Sequence, residues 1–259
     1  MALVLAIVNQ KGGVGKTTTS VNLSAYLALR GKKTLLIDID PQGNATSGIG
    51  LEKKELAKTI YDVLINNEDI KDVIQPTGRK NLSVCPANIE LVGAELELKD
   101  LLSRENILKR ALLTIDSQYD FIIMDCPPSL GLITLNALTA ADGVIVPIQS
   151  EYYALEGLTQ LMDTIAIVKK HLNPGLDIFG VVVTMFDSRT QLSHQVTAEV
   201  KKYFSDKLFK AIVPRNVRLS EAPSFGLAIN EYDAKSKGAD AYEFLAKEVI
   251  KRAETYKRG

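Results

Sequence analysis

Cysteine is scarce in this 259-residue chain, which has only Cys85 and Cys126. Each precedes a proline and ends an apolar run, as small residues at strand ends do in a reducing compartment, and that context speaks against a disulfide or a metal site. Long apolar stretches are also missing: no segment approaches the roughly 18 to 20 uninterrupted apolar residues that span a bilayer, so a membrane-spanning chain is excluded. No basic stretch precedes the apolar run from Ala2 to Val8, which leads into a glycine-rich motif where a signal peptide would have a cleavage site. The chain is therefore expected in the cytoplasm. Net charge is absent overall, with 31 Lys and Arg against 31 Asp and Glu. It is unevenly spread, because residues 189–259 carry 14 basic against 9 acidic residues, a local excess of 5 that an ordinary solvated surface would also show. No repeat, low-complexity tract or linker interrupts the chain. Its length and 46% apolar content suit one large core, and residues 1–259 are expected to form a single domain.

Short runs rich in Val and Ile alternate with longer segments of helical period. The runs are LVLAIV, TLLIDI, LSVCPA, FIIMDC, GVIVPI, FGVVVT and KAIVP. Near-continuous apolar strands imply a sheet buried on both faces. Helices are predicted over 17–29, 107–115, 130–138, 155–168 and 191–203. In the fourth, Leu155, Leu158, Met162, Ile165 and Val168 form one apolar face suited to core packing. Strict alternation of strand and helix implies right-handed crossovers and an α/β, doubly wound, mainly parallel sheet flanked by helices. Ligands of such sheets bind at the carboxyl ends of the strands.

The first strand runs into Asn9-Gln10-Lys11-Gly12-Gly13-Val14-Gly15-Lys16-Thr17-Thr18-Thr19, followed at once by a helix. A polyphosphate needs several converging main-chain N–H groups, and closely spaced glycines let the backbone curl around its oxygens. Gly12, Gly13 and Gly15 allow that curl around Val14, while the helix adds its free amides and positive dipole end. Lys16 is placed to reach the β- and γ-phosphates, the Thr17 hydroxyl to ligate Mg²⁺, and Thr18 to contact the α-phosphate of ATP. An ordinary P-loop has glycine where Gln10 stands. The motif here is the variant Lys-Gly-Gly-x-Gly-Lys-Thr with an additional lysine, Lys11.

Two carboxylates follow the second strand, in Asp38-Ile39-Asp40-Pro41-Gln42-Gly43-Asn44. Strand period puts Asp38 and Asp40 on one side. Asp40 is assigned to orient the attacking water, and Asp38 to outer-shell magnesium or structural support; an Asx cap opening the next turn is the plainer reading of Asp38. The run Phe121 to Asp125 has the form of a Walker B strand, and Asp125 is expected to hold magnesium through water, because a buried, unpaired carboxylate is costly without a cation.

These motifs, with Asp125-Cys-Pro-Pro-Ser, Glu151-Tyr-Tyr-Ala-Leu-Glu-Gly-Leu158, Thr184-Met-Phe-Asp-Ser-Arg189 and Pro214-Arg-Asn-Val-Arg-Leu-Ser-Glu-Ala-Pro-Ser224, resemble the ParA/Soj-type partition ATPases of the deviant Walker A group. The resemblance runs from residue 3 to about residue 250 and implies a P-loop NTPase fold. It further implies that Lys11 acts in trans across an ATP-bridged homodimer, that Gly12 lies at that interface, and that Pro214 and Asn216 approach the adenine. Arg189 and Arg218 would bind double-stranded DNA nonspecifically through phosphates when ATP is bound, placing the protein on the nucleoid, and a ParB-type centromere-binding partner would stimulate hydrolysis. Lys201, Lys202, Lys247 and Lys251 would extend the DNA surface, although Glu243 to Lys247 is equally an ordinary helix pair. No helix-turn-helix segment is expected before the first strand. A membrane-cycling division-site ATPase of the MinD type is the alternative; the weak apolar face of Val249, Ile250, Ala253 and Tyr256 makes membrane attachment the less favoured reading. An electron or metal-cluster carrier would need paired cysteines at a dimer face, which Cys85 and Cys126 do not supply.

Overall fold

Residues 1–151 and 156–256 are described by a computed structural model. Among these residues eight strands form one sheet: β1 (Leu3–Ile7), β2 (Thr34–Asp38), β3 (Gln75–Pro76), β4 (Leu82–Cys85), β5 (Phe121–Asp125), β6 (Gly143–Gln149), β7 (Asp177–Phe186) and β8 (Leu208–Pro214). Their spatial order is β3-β4-β2-β5-β1-β6-β7-β8. Every neighbouring pair is parallel except β3 with β4. Seven of these strands coincide with the apolar runs. The two-residue β3 is the addition, an antiparallel edge too short and too polar to register as a strand pattern.

Period-2 alternation sorts the side chains into two cores. Val4, Ala6 and Val8 face helices Leu91–Glu97, Ile107–Leu113, Leu132–Ala140, Glu156–His171 and Gln191–Phe204. Leu3, Leu5 and Ile7 face the phosphate-loop helix Lys16–Leu29 and the C-terminal helix Lys237–Tyr256. Of the apolar face expected on the fourth helix, Leu158, Ile165 and Val168 are buried and Met162 packs against them, while Leu155 lies outside the described residues.

The C-terminal helix, which the sequence shows only as a helix pair and a weak apolar face, is the longest among the described residues. Its Val249 and Ala253 are buried, and Ile250 and Tyr256 pack against the same core. Midway along it, Glu248 accepts bonds from the N–H groups of Lys210 and Ala211 at 3.1 and 2.7 Å, where β8 slips register against β7. Irregular ladders leave such donors unpaired, so this carboxylate closes the sheet edge.

The ends of three central strands are level. Asp125 sits beside Ile7 of β1 and beside Asp38 of β2. The phosphate loop and both acidic strand ends thus converge on one carboxyl edge.

Candidate functional site

The phosphate loop takes its shape from glycine conformations and from two long-range clasps. Gly13 and Gly15 have φ of 74° and 87°, in the left-handed region that a side chain disfavours. Asn9 donates from Nδ2 to the Pro147 carbonyl at 2.7 Å and accepts from Lys11 N at 3.0 Å, tying the start of the loop to β6. The Thr184 hydroxyl donates to the Val14 carbonyl at 2.8 Å, tying its middle to β7. Lys16 is buried, and its Nζ donates to the Lys11 carbonyl at 3.2 Å, so it folds back over the loop. Burial lowers its pKa, opposed mainly by the negative charge of Asp125. Lys11 points elsewhere: its Nζ lies 3.4 Å from a Glu151 oxygen, and Arg215 approaches the other oxygen of that carboxylate at 3.6 Å.

Asp125 is fully buried; its Oδ1 accepts from the Ser20 hydroxyl at 2.8 Å, whereas Oδ2 has no hydrogen-bond partner. Burial first, and the neighbouring Asp38 second, push its pKa up to about 8. The nearby Thr17 hydroxyl acts the other way and lowers that pKa. An orphaned carboxylate oxygen beside a threonine hydroxyl is an all-oxygen donor set that fits a hard cation such as Mg²⁺, which also retains waters and phosphate ligands. Among the described residues no cluster of three or more His, Cys, Asp or Glu could cage a metal alone. Both cysteines are free and buried.

Asp38 is equally buried but fully engaged. Its Oδ2 accepts from the Thr46 N–H and hydroxyl, each at 2.8 Å, and its Oδ1 accepts from Asp40 N at 3.1 Å. Burial raises its pKa to about 6 against those bonds. Asp38 therefore fixes the backbone of Asp40 and the start of helix Asn44–Gly48. Asp40 itself is half-buried and accepts from Gln42 N at 2.9 Å. The turn beyond it needs glycine at Gly43, where φ is 59° and an added Cβ would lie 2.7 Å from the Ala87 carbonyl oxygen.

A cavity of about 480 Å³ adjoins the phosphate loop, bounded by Gly15, Thr18, Thr184, Pro214, Asn216 and Tyr242 among others. The family resemblance pointed to Pro214 and Asn216, and the fold sets them on the same cavity as the loop. The Asn216 Oδ1 accepts from Arg218 N at 2.8 Å and caps helix Val217–Glu221, leaving its amide donors for a ligand. Met185, on the cavity wall, has φ of 51°, a strained conformation of the kind held at binding sites.

A family model described as an AAA domain matches residues 2–178. The sporulation initiation inhibitor protein Soj of Bacillus subtilis is 60% identical over 249 residues, covering 96% of this chain and 98% of that one. The chromosome-partitioning ATPase Soj of Treponema pallidum is 53% identical over 252 residues, 97% of this chain and 98% of that one. The chain belongs to the Soj/ParA family of chromosome-partitioning ATPases. Among solved structures, a Mycobacterium smegmatis chain named cobyrinic acid a,c-diamide synthase, with bound ATP analogue and magnesium, superposes with a TM-score of 0.87 at 38% identity, covering 98% of this chain and 97% of that one.

For a Soj/ParA family member the basic residues matter next, and the fold divides them. Arg189 follows β7 and Arg218 follows β8, so both stand at the carboxyl edge with the cavity beside the glycine-rich loop. Arg189 is 85% exposed and paired with Asp187 at 2.7 Å; Arg218 is paired with Glu221 at 2.9 Å and Asp233 at 3.5 Å. Lys201 and Lys202 lie in the last turn of helix Gln191–Phe204, which returns toward the start of β8 at the opposite edge. Lys247 and Lys251 are on the C-terminal helix, across the sheet from that helix. The four lysines are exposed, and they do not share the arginines' edge.

Asn9, Ser20, Thr46, Thr184 and Glu151 are the supporting residues that sequence reasoning gave no role of their own. Asn9, Thr184 and Glu151 stood inside quoted motifs, which was the available signal.

Proposed function

We propose that this chain is an ATP-driven DNA-partitioning switch. The observation that carries the reading is the unpartnered, buried Oδ2 of Asp125, set level with Asp38 beneath the Lys11–Thr18 loop. ATP would place its phosphates on the loop amides and Lys16, with its base in the cavity of Pro214 and Asn216. Thr17, and Asp125 through water, would hold Mg²⁺, which supplies charge neutralisation for phosphoryl transfer. Asp40, held by Asp38, would orient the attacking water. Lys11 would leave Glu151 and reach the nucleotide of a second copy, so that ATP joins two chains, with exposed Gly12 between them. The ATP-bound dimer would bind DNA through Arg189 and Arg218 without reading sequence, in the cytoplasm on the nucleoid. A ParB-type partner would trigger hydrolysis and release.

Membrane cycling of the MinD kind is the weaker alternative, because Val249 and Ala253 would have to leave the core to meet a lipid surface. The deciding measurement is binding to random double-stranded DNA with ATP, with ADP and without nucleotide, over a salt series. Binding with ATP alone is expected, and Arg189→Ala/Arg218→Ala is expected to lower the logarithmic salt slope by roughly 2, about 0.9 for each phosphate no longer neutralised. Failure to bind DNA in any state, together with ATP-dependent flotation on anionic vesicles, would replace the reading with the membrane one.

A further inference from the structure

Helix Asn44–Gly48 carries the Asp40 loop into the body of the protein, and different parts of the chain hold its two ends. Its start is fixed to Asp38 through the Thr46 N–H and hydroxyl. Its end lies against the cavity wall: a Cβ at Gly48 would stand 3.9 Å from the Pro223 Cβ, and Pro223 lines the cavity beside the glycine-rich loop. Just beyond, the backbones of Gly50 and Gly226 touch. A Cβ at Gly226 would come within 2.7 Å of the Gly50 Cα, and φ is 96° at Gly50 and 65° at Gly226. Neither position tolerates a side chain, so the two turns pack main chain to main chain.

Arg79 closes this contact. It lies in the turn between β3 and β4, and its side chain is 17% exposed. Nη1 donates to the Ile49 carbonyl at 2.6 Å and Nη2 to the Gly226 carbonyl at 3.0 Å, one from each turn. Nε and Nη2 also donate to the Glu231 carboxylate, at 2.8 and 2.6 Å. That carboxylate accepts in turn from Ala228 N at 3.2 Å. A planar fork of five donors serves two carbonyls and a carboxylate at once, which the point charge of a lysine does not.

The Gly226 turn has an anchor of its own. Asn22 accepts from Ile229 N at 2.7 Å and donates to the Thr18 carbonyl at 2.8 Å, tying the turn to helix Lys16–Leu29. The cavity wall therefore stays attached without Arg79, whereas the end of helix Asn44–Gly48 is clasped to that wall by the guanidinium. From there the path to Asp40 is short: Thr46 holds Asp38, and Asp38 accepts from Asp40 N at 3.1 Å.

We propose that Arg79 is a positioning residue that makes the placement of Asp40 depend on whether the cavity is filled, so that turnover, more than affinity, separates a triphosphate bearing a base from one without. The inference rests on the ATP site and the role of Asp40 given under the proposed function. The test compares ATP with inorganic tripolyphosphate on the full chain, for wild type, Arg79→Ala and Arg79→Lys. Wild type is expected to turn over ATP the faster. In both variants kcat for ATP is expected to fall about tenfold or more, toward that of tripolyphosphate, since a misplacement of about 1 Å costs up to roughly 10²-fold. The ATP dissociation constant and the turnover of tripolyphosphate are expected to stay as in wild type. Arg79→Lys keeps the charge opposite Glu231 and carries the test should the alanine disturb folding. In an Asp40→Ala background, replacing Arg79 is expected to slow ATP turnover no further. Hydrogen exchange gives a readout independent of turnover. ADP, which has no γ-phosphate to reach Asp40, is expected to slow exchange at 222–226 in every protein and at 45–50 in wild type alone.

Equal losses with both substrates would reduce Arg79 to a structural clasp and overturn the proposal. So would unchanged ATP turnover in the variants, equal turnover of the two substrates by wild type, or protection of 45–50 that survives the loss of Arg79. Losses that add to that of Asp40→Ala would overturn the route through Asp40. Normal ATP hydrolysis by Asp40→Ala alone would instead overturn the assignment of Asp40, and the exchange result would still decide the clasp.

Discussion

Replacing Asp125 with asparagine is expected to stabilise the nucleotide-free protein, and to do so more strongly as pH rises. The carboxyl group has an ordinary pKa of 3.8 in the unfolded chain and one of about 8 in the folded chain, because burial and Asp38 disfavour its charge. Between those values the folded state holds a proton that the unfolded state has released, so stability falls as pH rises, by up to about 1.4 kcal/mol per pH unit. Below the unfolded pKa both states are protonated and the penalty vanishes; above the folded pKa both are ionised and it is constant. Asparagine removes this slope while preserving an acceptor for the Ser20 hydroxyl. From about pH 5.5 to about pH 7.5 the advantage of Asp125→Asn over wild type is expected to grow by about 2 kcal/mol, discounted from the full single-proton slope. Urea unfolding in the presence of a chelator, at several pH values, measures the difference directly. Parallel stability curves for the two proteins would refute the claim that Asp125 is held neutral by its surroundings. A second readout is linked: Mg²⁺ with ATP is expected to stabilise wild type far more than the variant, since the cation is what the ionised carboxylate awaits.

Lys16→Ala is expected to lose nucleotide affinity, measured by fluorescent-ATP titration, because it removes the buried ammonium folded over the loop; retained affinity would move the phosphate contact elsewhere. Asp40→Ala is expected to keep ATP bound while slowing hydrolysis at least a hundredfold, the scale on which removing a general base acts, and normal turnover in a phosphate-release assay would remove Asp40 from the chemistry. Gly12→Val is expected to bind ATP and remain monomeric by light scattering: an added Cβ at Gly12 meets nothing within 4 Å in the single chain, so any effect must come from outside it. Glu248→Ala is expected to cost about 1 to 3 kcal/mol in unfolding experiments, since it strips the partner from the Lys210 and Ala211 N–H groups at the sheet edge.

What could be read from residue order alone follows from how local each constraint is. The glycine-rich loop was legible because a phosphate cradle would need consecutive main-chain amides, which keeps Lys11 to Thr18 neighbours in sequence as well as in space. Asp125 was legible because four apolar residues ending in one acid already describe a buried strand with a costly terminus. The central strands were legible for a related reason: burial on both faces forces unbroken apolar runs. Where a role depends on a partner far along the chain, residue order is silent. Thr184 steadies the loop from 170 positions beyond Val14, and Asn9 reaches across 138 positions to Pro147. The C-terminal helix shows the same limit from the other side, because its charged exposed face diluted a period that Tyr242, Leu245, Val249 and Ala253 nonetheless complete once the sheet is present. Ile89, Val92 and Leu96 mark the converse case. The core position at helix Leu91–Glu97 is taken by Leu91, Ala94 and Leu98, and only the folded chain shows that Ile89, Val92 and Leu96 are exposed.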